Sequence, residues 1–250
     1  MFNTFLYEPL YNILVFLISV LPGHSVGLAI IVLTVVVKLL LLPMTQKSMK
    51  SQMMMKKIEP EIKIINKKYK NNKQEQAQQT MDLYKKYGIN PFSSCLLTLI
   101  QFPVIIALYY VFFKGFNGGI NSEILYSFVQ YPESINMIFL GTNLAEKSII
   151  LAFLAGLTQF FLMKLTMPVL PKSEPISSSK ERSFKDDFSR NMSTQMTYML
   201  PIMVFFFAWN ISAVISLYWA VSNIFSVVQQ LILKRKEGDT LHNLSLLDAR

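Results

Sequence analysis

The sequence predicts an all-α polytopic membrane protein: five transmembrane helices, an N-terminal interfacial helix and a cytoplasmic helical hairpin. Three observations predict it. Hydrophobic residues make up 52% of the 250 and mean hydropathy is positive, a balance suited to lipid rather than to a water-soluble domain. Apolar stretches near spanning length recur at 25–43, 90–113, 147–167, 194–209 and 212–233, against the roughly 20 residues a helix needs to cross a bilayer. Of 24 basic residues, 21 fall in three segments, 44–88, 164–190 and 234–250, which the positive-inside rule makes cytoplasmic.

Taken in order, residues 1–24 carry the stretch FLYEPLYNILVFLISVL. No Lys or Arg precedes Lys38, so the basic start of a signal peptide is missing. Glu8-Pro9 and the aromatic Tyr7 and Tyr11 suit an amphipathic helix in the outer interface, with a sixth span as the alternative. The first span, 25–43, follows Pro22-Gly23 and ends on Pro43. The segment 44–89 holds eleven lysines against four acids and is expected inside. The second span, 90–113, leads to an extracytoplasmic connection, 114–146, in which Glu123, Glu133 and Glu146 outnumber Lys114. The third span, 147–167, is followed by a Pro- and Ser-rich cytoplasmic loop, 168–193. The fourth, 194–209, is the shortest and contains Pro201. The fifth, 212–233, leads into a cytoplasmic tail, 234–250. With five spans the N-terminus is outside and the C-terminus cytoplasmic.

Lys38 is the one full charge deep inside the apolar run 26–42. An ammonium near the bilayer centre costs on the order of 2.5–3.5 kcal/mol on insertion scales. Two readings stand. Lys38 snorkels to the cytoplasmic headgroups, its stem covering apolar surface, or it faces a water-filled cavity. The other spans bear on the choice. In the last one, Ser212, Ser216, Trp219, Asn223, Ser226 and Gln230 follow steps of four, three, four, three and four, which places them on one helical face. Thr34 lies one turn before Lys38; the second span adds Thr98 and Gln101, and the third Thr158-Gln159. Small polar residues in spans also serve as interhelical glue, worth about 0.6 kcal/mol each. A polar stripe over several turns together with a buried cation favours a hydrated groove. Its candidate residues are Lys38, Thr34, Thr98, Gln101, Ser216, Trp219, Asn223 and Ser226.

The segment 44–89 has its own pattern. Met44, Met49, Met53, Met54, Met55, Ile58, Ile62 and Ile65 recur at helical spacing among lysines. Asn71-Asn72 breaks the pattern, and a second helix, about 73–87, carries Ala77, Met81, Leu83 and Tyr84 before Gly88 and Asn90-Pro91 end it. These helices either pack together on the membrane surface or present a methionine-rich receiving surface that adapts to varied hydrophobic partners. Met53, Met54, Met81 and Tyr84 are its candidate contacts.

Several function classes lack their chemistry. His24 and His242 are isolated, no Asp lies within a span, and Cys95 is the sole cysteine, so neither an intramembrane protease nor a metal centre is indicated. Gly118-Gly119 is no phosphate loop and no GxxxxGK occurs, so no cofactor is expected and the protein is not read as an enzyme. The formal charge of +9 belongs to a membrane surface, with anionic lipid or ribosomal RNA as neighbours, and implies no specific nucleic-acid recognition. A secondary transporter using Lys38 as a substrate or proton site is the competing class. It would be expected to show an internal repeat or paired broken spans, which the sequence lacks.

Residues 90–112, NPFSSCLLTLIQFPVIIALYYVF, resemble the second core span of the YidC/Oxa/Alb family of membrane-protein insertases. Leu200-Pro201, Phe205-Phe206-Phe207, Leu217-Tyr218-Trp219, Ser222-Asn223 and Gln229-Gln230 resemble its last two spans. Residues 27–43 and the lysine-rich segment after them resemble its first span and hairpin. The resemblance covers nearly the whole chain. It implies a five-helix core around a hydrophilic groove that is open to the cytoplasm and to lipid and closed toward the outside. It further implies that nascent membrane proteins and the lipid bilayer are the partners, with a ribosome and a Sec-type translocation channel as candidate neighbours, in a bacterial plasma membrane. The family's groove cation is usually arginine, and Lys38 sits at the matching position. Lysine keeps the charge but lacks the planar five-donor fork. The turn into the last span reads Ser212-Ala213-Val214 where the family commonly has Pro-Ala-Gly.

Overall fold

The computed structural model describes residues 3–90, 102–112, 121–132, 134–166 and 184–248, with the backbone alone over 184–196 and 237–248. Among these residues the regular structure is helical, apart from one antiparallel pair of two-residue strands, β1 (Ile138–Phe139) and β2 (Thr142–Asn143), and an isolated bridge between Ser25 and Asn136. So short a pair leaves the all-α class unchanged; two residues a side carry no readable alternation. The helices are α1 (Glu8–Val20), preceded by a π-helical turn Asn3–Tyr7, α2 (Val26–Leu40), α3 (Leu42–Lys57), α4 (Glu59–Lys68) and α5 (Lys73–Lys86). They continue with α6 (Phe102–Phe112), α7 (Ile149–Thr166), α8 (Phe184–Asn210) and α9 (Ala213–Asp248).

Three of these are long and apolar enough to cross a membrane: Asn3–Val20, α7 and the Ala213–Lys236 part of α9. A fourth is added if α2 and α3, broken at Leu41, count as one; Phe102–Phe112 and Thr197–Asn210 are apolar but shorter. The protein is therefore a helical, multi-span membrane protein. Large apolar side chains lie exposed on these helices, among them Phe16, Phe153, Phe161, Phe207 and Ile232, as expected where the surroundings are lipid rather than water.

The chain forms two compact units. The first comprises residues 1–40 and 103–228. Its core takes Leu10, Tyr11, Leu14, Val15 and Ile18 from α1, Ala29, Ile30 and Leu33 from α2, Ala107, Leu108 and Val111 from α6, and the start of α9. The buried residues of α1 step by one and three, giving one face of a 3.6-residue repeat. The connection between α6 and α7 is tied to this bundle by hydrogen bonds. The Asn12 side chain donates to the Ile124 carbonyl at 2.9 Å and accepts from the Tyr126 amide at 2.7 Å. The Asn121 amide donates to the Tyr11 hydroxyl at 2.7 Å. Asn136 exchanges backbone bonds with His24 and Val26, and the amides of Ala213 and Val214 donate to the carbonyls of Glu146 and Leu144. Gly27 lets β1 close on α2, since a β-carbon there would run into the Phe139 ring.

The second unit comprises residues 41–102 and 229–250. Pro60 stands in the first turn of α4, where its missing N–H costs nothing; the chain breaks at Ile58, so the first arm of the hairpin is two helices. Asn72 caps α5 by accepting from the Glu75 amide at 3.2 Å. Gly88, at φ +63°, turns the chain out of α5, and the Ile89 amide reaches back to the Tyr84 carbonyl at 2.8 Å. Ile58, Leu83 and Ile89 form the apolar seam, with Met54, Met55, Ile62, Ile65 and Tyr84 packed on it.

Candidate functional site

The buried polar residues of the first unit gather on α9 and on the helices it meets. Lys38, 9% exposed, projects from the last turn of α2, and its Nζ donates to Ser226 Oγ at 3.2 Å. Ser226 Oγ in turn donates to the Ser222 carbonyl at 2.9 Å, one turn back along α9. Among the described residues no carboxylate pairs with Lys38. A neutral hydroxyl satisfies one of three ammonium donors and compensates none of the charge. Thr34 is buried one turn earlier, its hydroxyl spent on the Ile30 carbonyl at 2.6 Å, the back-bonding that a helical threonine uses when no other acceptor is offered.

The rest of the stripe on α9 contacts its neighbours. Trp219 Nε1 donates to Gln159 Oε1 on α7 at 3.3 Å. Asn223 Nδ2 reaches two acceptors on α7, Thr158 Oγ1 at 3.3 Å and the Ala155 carbonyl at 3.4 Å. Ser216 Oγ donates to the Ala208 carbonyl near the end of α8 at 3.0 Å. The stripe thus divides in space: Ser216, Trp219 and Asn223 are engaged by α7 and α8, while Ser226 is the residue beside the cation. Thr98 and Gln101 lie outside the described residues. Thr158 and Gln159 belong with the candidate set as partners of Asn223 and Trp219. Their sequence signal was two adjacent polar residues in an apolar span, which does not say which helix they face.

In the second unit Gln229 Nε2 donates to Thr45 Oγ1 at 2.7 Å, and Gln230 is buried with no hydrogen-bond partner for either side-chain atom among the described residues. Of the hairpin candidates, Met53 is buried with Met49 and Leu233, and Met54 and Tyr84 pack on the seam of Ile58, Leu83 and Ile89. Met81 lies exposed, with Ile64 and Tyr87 also open on this unit. Lys56, half-buried, has its ammonium pushed down to about 8 by burial and by Lys234, with Glu59 opposing. The Tyr87 hydroxyl donates to Glu61, which raises its pKa by favouring the protonated phenol. Chemically, the first unit can offer a buried cation and hydroxyls among apolar helices, and the second can offer thioethers and lysines.

A family model described as 60Kd inner membrane protein matches residues 17–240. A membrane protein insertase YidC of Clostridium tetani is 35% identical over 218 residues, covering 86% of this chain and 84% of its own. One from Clostridium acetobutylicum is 36% identical over 220 residues, covering 87% and 78%. The membrane protein insertase MisCA of Bacillus subtilis is 30% identical over 223 residues, covering 87% and 73%. With a family match spanning every described helix from α2 to α8, the chain belongs to the 60Kd inner membrane protein family, the YidC/Oxa family of membrane-protein insertases.

Proposed function

We infer that this protein is a membrane-protein insertase that receives hydrophobic segments of nascent proteins in a hydrophilic groove among five spanning helices. The groove opens to the cytoplasm and releases its clients sideways into the bilayer. The observation that carries the reading is the ammonium of Lys38, buried in the last turn of an apolar helix with Ser226 as its neutral partner. A client with a short polar outer tail must move that tail through a low-dielectric slab. Each unsatisfied polar group costs several kcal/mol there. Water and side-chain hydroxyls brought partway across shorten that barrier, and an uncompensated cation attracts acidic tails more strongly than it would in water. The apolar segment then leaves by its own transfer into lipid, so no nucleotide is required. Thr34, Lys38, Ser226 and, from the second span, Thr98 and Gln101 would line the groove. Ser216, Trp219 and Asn223 would hold α9 at its back. The hairpin would meet clients through Met53, Met54, Met81 and Tyr84, and its lysines would face lipid phosphates, a ribosome or a Sec-type channel. The transporter alternative finds no support in the named relatives.

The test is insertion of a short single-span client into liposomes containing only this purified protein, scored by protease protection. Protection above empty liposomes, lost in Lys38→Leu and kept in Lys38→Arg, is the expected result. Protection that survives Lys38→Leu would remove the cation from the mechanism. No protection from folded protein would mean that insertion needs a further component.

A further inference from the structure

Helices α7 and α8 hold between them an apolar groove of roughly 350 Å³. Its walls are Phe153, Leu157 and Phe160 on one side and Tyr198, Ile202 and Phe205 on the other. Its floor is a close crossing: a β-carbon on Gly156 would stand 3.0 Å from Phe205 Cβ and 3.2 Å from the Pro201 carbonyl oxygen. Phe153, Leu157, Tyr198 and Ile202 are all exposed, so the groove opens outward from the bundle. At one end stands Lys164, its Nζ 5.0 Å from the centroid of the Phe160 ring, which itself lies 5.9 Å from the ring of Tyr198. Lys164 is exposed, and among the described residues it makes no ion pair.

We propose that this groove is a binding site for an anionic phospholipid, one acyl chain lying between α7 and α8 and the phosphate paired with Lys164. The dimensions suit this occupant: over the seven-residue rise from Phe153 to Phe160, about 10 Å, a groove of roughly 350 Å³ is a narrow slot in which one extended acyl chain can lie along its length. Depth agrees. Phe153 to Lys164 rises about 16 Å, against about 15 Å for the hydrocarbon of one leaflet. With the ammonium among the headgroups, the groove therefore ends near the midplane. The charge then sets preference among lipids, since one lysine at the surface favours an anionic headgroup by about fivefold. Lys164 differs from Lys38 in exposure: both stand in the last turn of their helices, but Lys38 is buried while Lys164 lies open over an aromatic ring, where a phosphate reaches it without leaving the interface.

Binding is measured without any client, so the proposal stands or falls separately from the insertase reading. The delipidated full chain is titrated with phosphatidylglycerol and, separately, phosphatidylcholine, and the first bound lipid is quantified by native mass spectrometry. Phosphatidylglycerol is expected to bind about fivefold more tightly, the worth of one interfacial lysine. Lys164→Gln should bring the two lipids level, whereas Lys147→Gln, an exposed lysine at the start of the same span, should leave the ratio intact. Leu157→Phe and Ile202→Phe, each filling the groove from one wall, should weaken both lipids, with unchanged helix content by circular dichroism as the control for folding. Equal binding of the two lipids to the unmodified chain would overturn the proposal. So would a preference that survives Lys164→Gln, or full binding in both groove-filling variants. Displacement of the bound lipid by an apolar client segment would assign the groove to clients instead.

Discussion

Among the described residues the ammonium of Lys38 has a single hydroxyl partner where a stable buried charge would need a counter-ion. Such a group lowers stability in the resting protein and gains most when an anion arrives. Clients with acidic outer tails should therefore lose more insertion in Lys38→Leu than clients with neutral tails, a difference read directly by protease protection of paired clients. Equal loss for both would leave hydration of the groove, rather than charge attraction, as the contribution of Lys38. The other residues of the stripe act differently. Asn223 and Trp219 use their donors across to α7, the kind of interhelical bond that averages about 0.6 kcal/mol in membrane proteins. Helical spacing put these residues on one face of α9. It could not assign them separate tasks, because the acceptors lie some 60 residues away on another helix.

At the scale of elements, α3 and the end of α9 bring two lysines together. Lys56 is depressed to about 8 by its burial and by Lys234, well below the ordinary lysine value of about 10.4. The folded form therefore binds fewer protons than the unfolded chain between those two values. Stability should rise as pH climbs from about 8 to about 10, and the full cost of the charged form should be present below that window. Thermal unfolding of the protein in detergent across pH 7–10 should show this rise, and Lys56→Met should flatten it. A rise that persists in Lys56→Met would place the titration on another group. The hairpin was legible from its Met and Ile spacing and from Asn72 and Gly88, residues whose effects are local. The break at Ile58 follows from Pro60, a local signal that the Met and Ile spacing runs across, whereas the two short strands depend on tertiary fit, such as the ring of Phe139 over Gly27, and left little trace in periodicity.

For the whole molecule, composition and charge made the class readable, because lipid acts on every residue of a span, and the family was readable from the resemblance of motifs that run nearly end to end. The number of spans was harder. Thr197–Asn210 is short inside a helix that runs through Pro201, so length alone does not decide whether it crosses. Orientation remains a physical prediction from charge, with 21 of 24 basic residues on one side. In a Cys95→Ser background, Leu140→Cys, 85% exposed between the two strands, should react with a membrane-impermeant maleimide from outside intact cells. Ile64→Cys, 65% exposed on α4, should react only after the membrane is opened. The reverse pattern would invert the topology and with it the cytoplasmic opening of the groove.

The turn that starts α9 is held by main-chain donors, Ala213 to Glu146 and Val214 to Leu144, and by the Ser216 hydroxyl on the Ala208 carbonyl. Backbone bonds of this kind do not depend on the side chain at 212, although Ala213 and Val214 also bury theirs in the core. Ser212-Ala213-Val214 and the family's Pro-Ala-Gly then become two spellings of one turn, since proline at 212 removes neither donor and glycine at 214 keeps its own. The exceptions are equally definite. In a saturation library selected for growth, proline should be tolerated at 212 and purged at 213 and 214, where it would delete an N–H on which the turn depends.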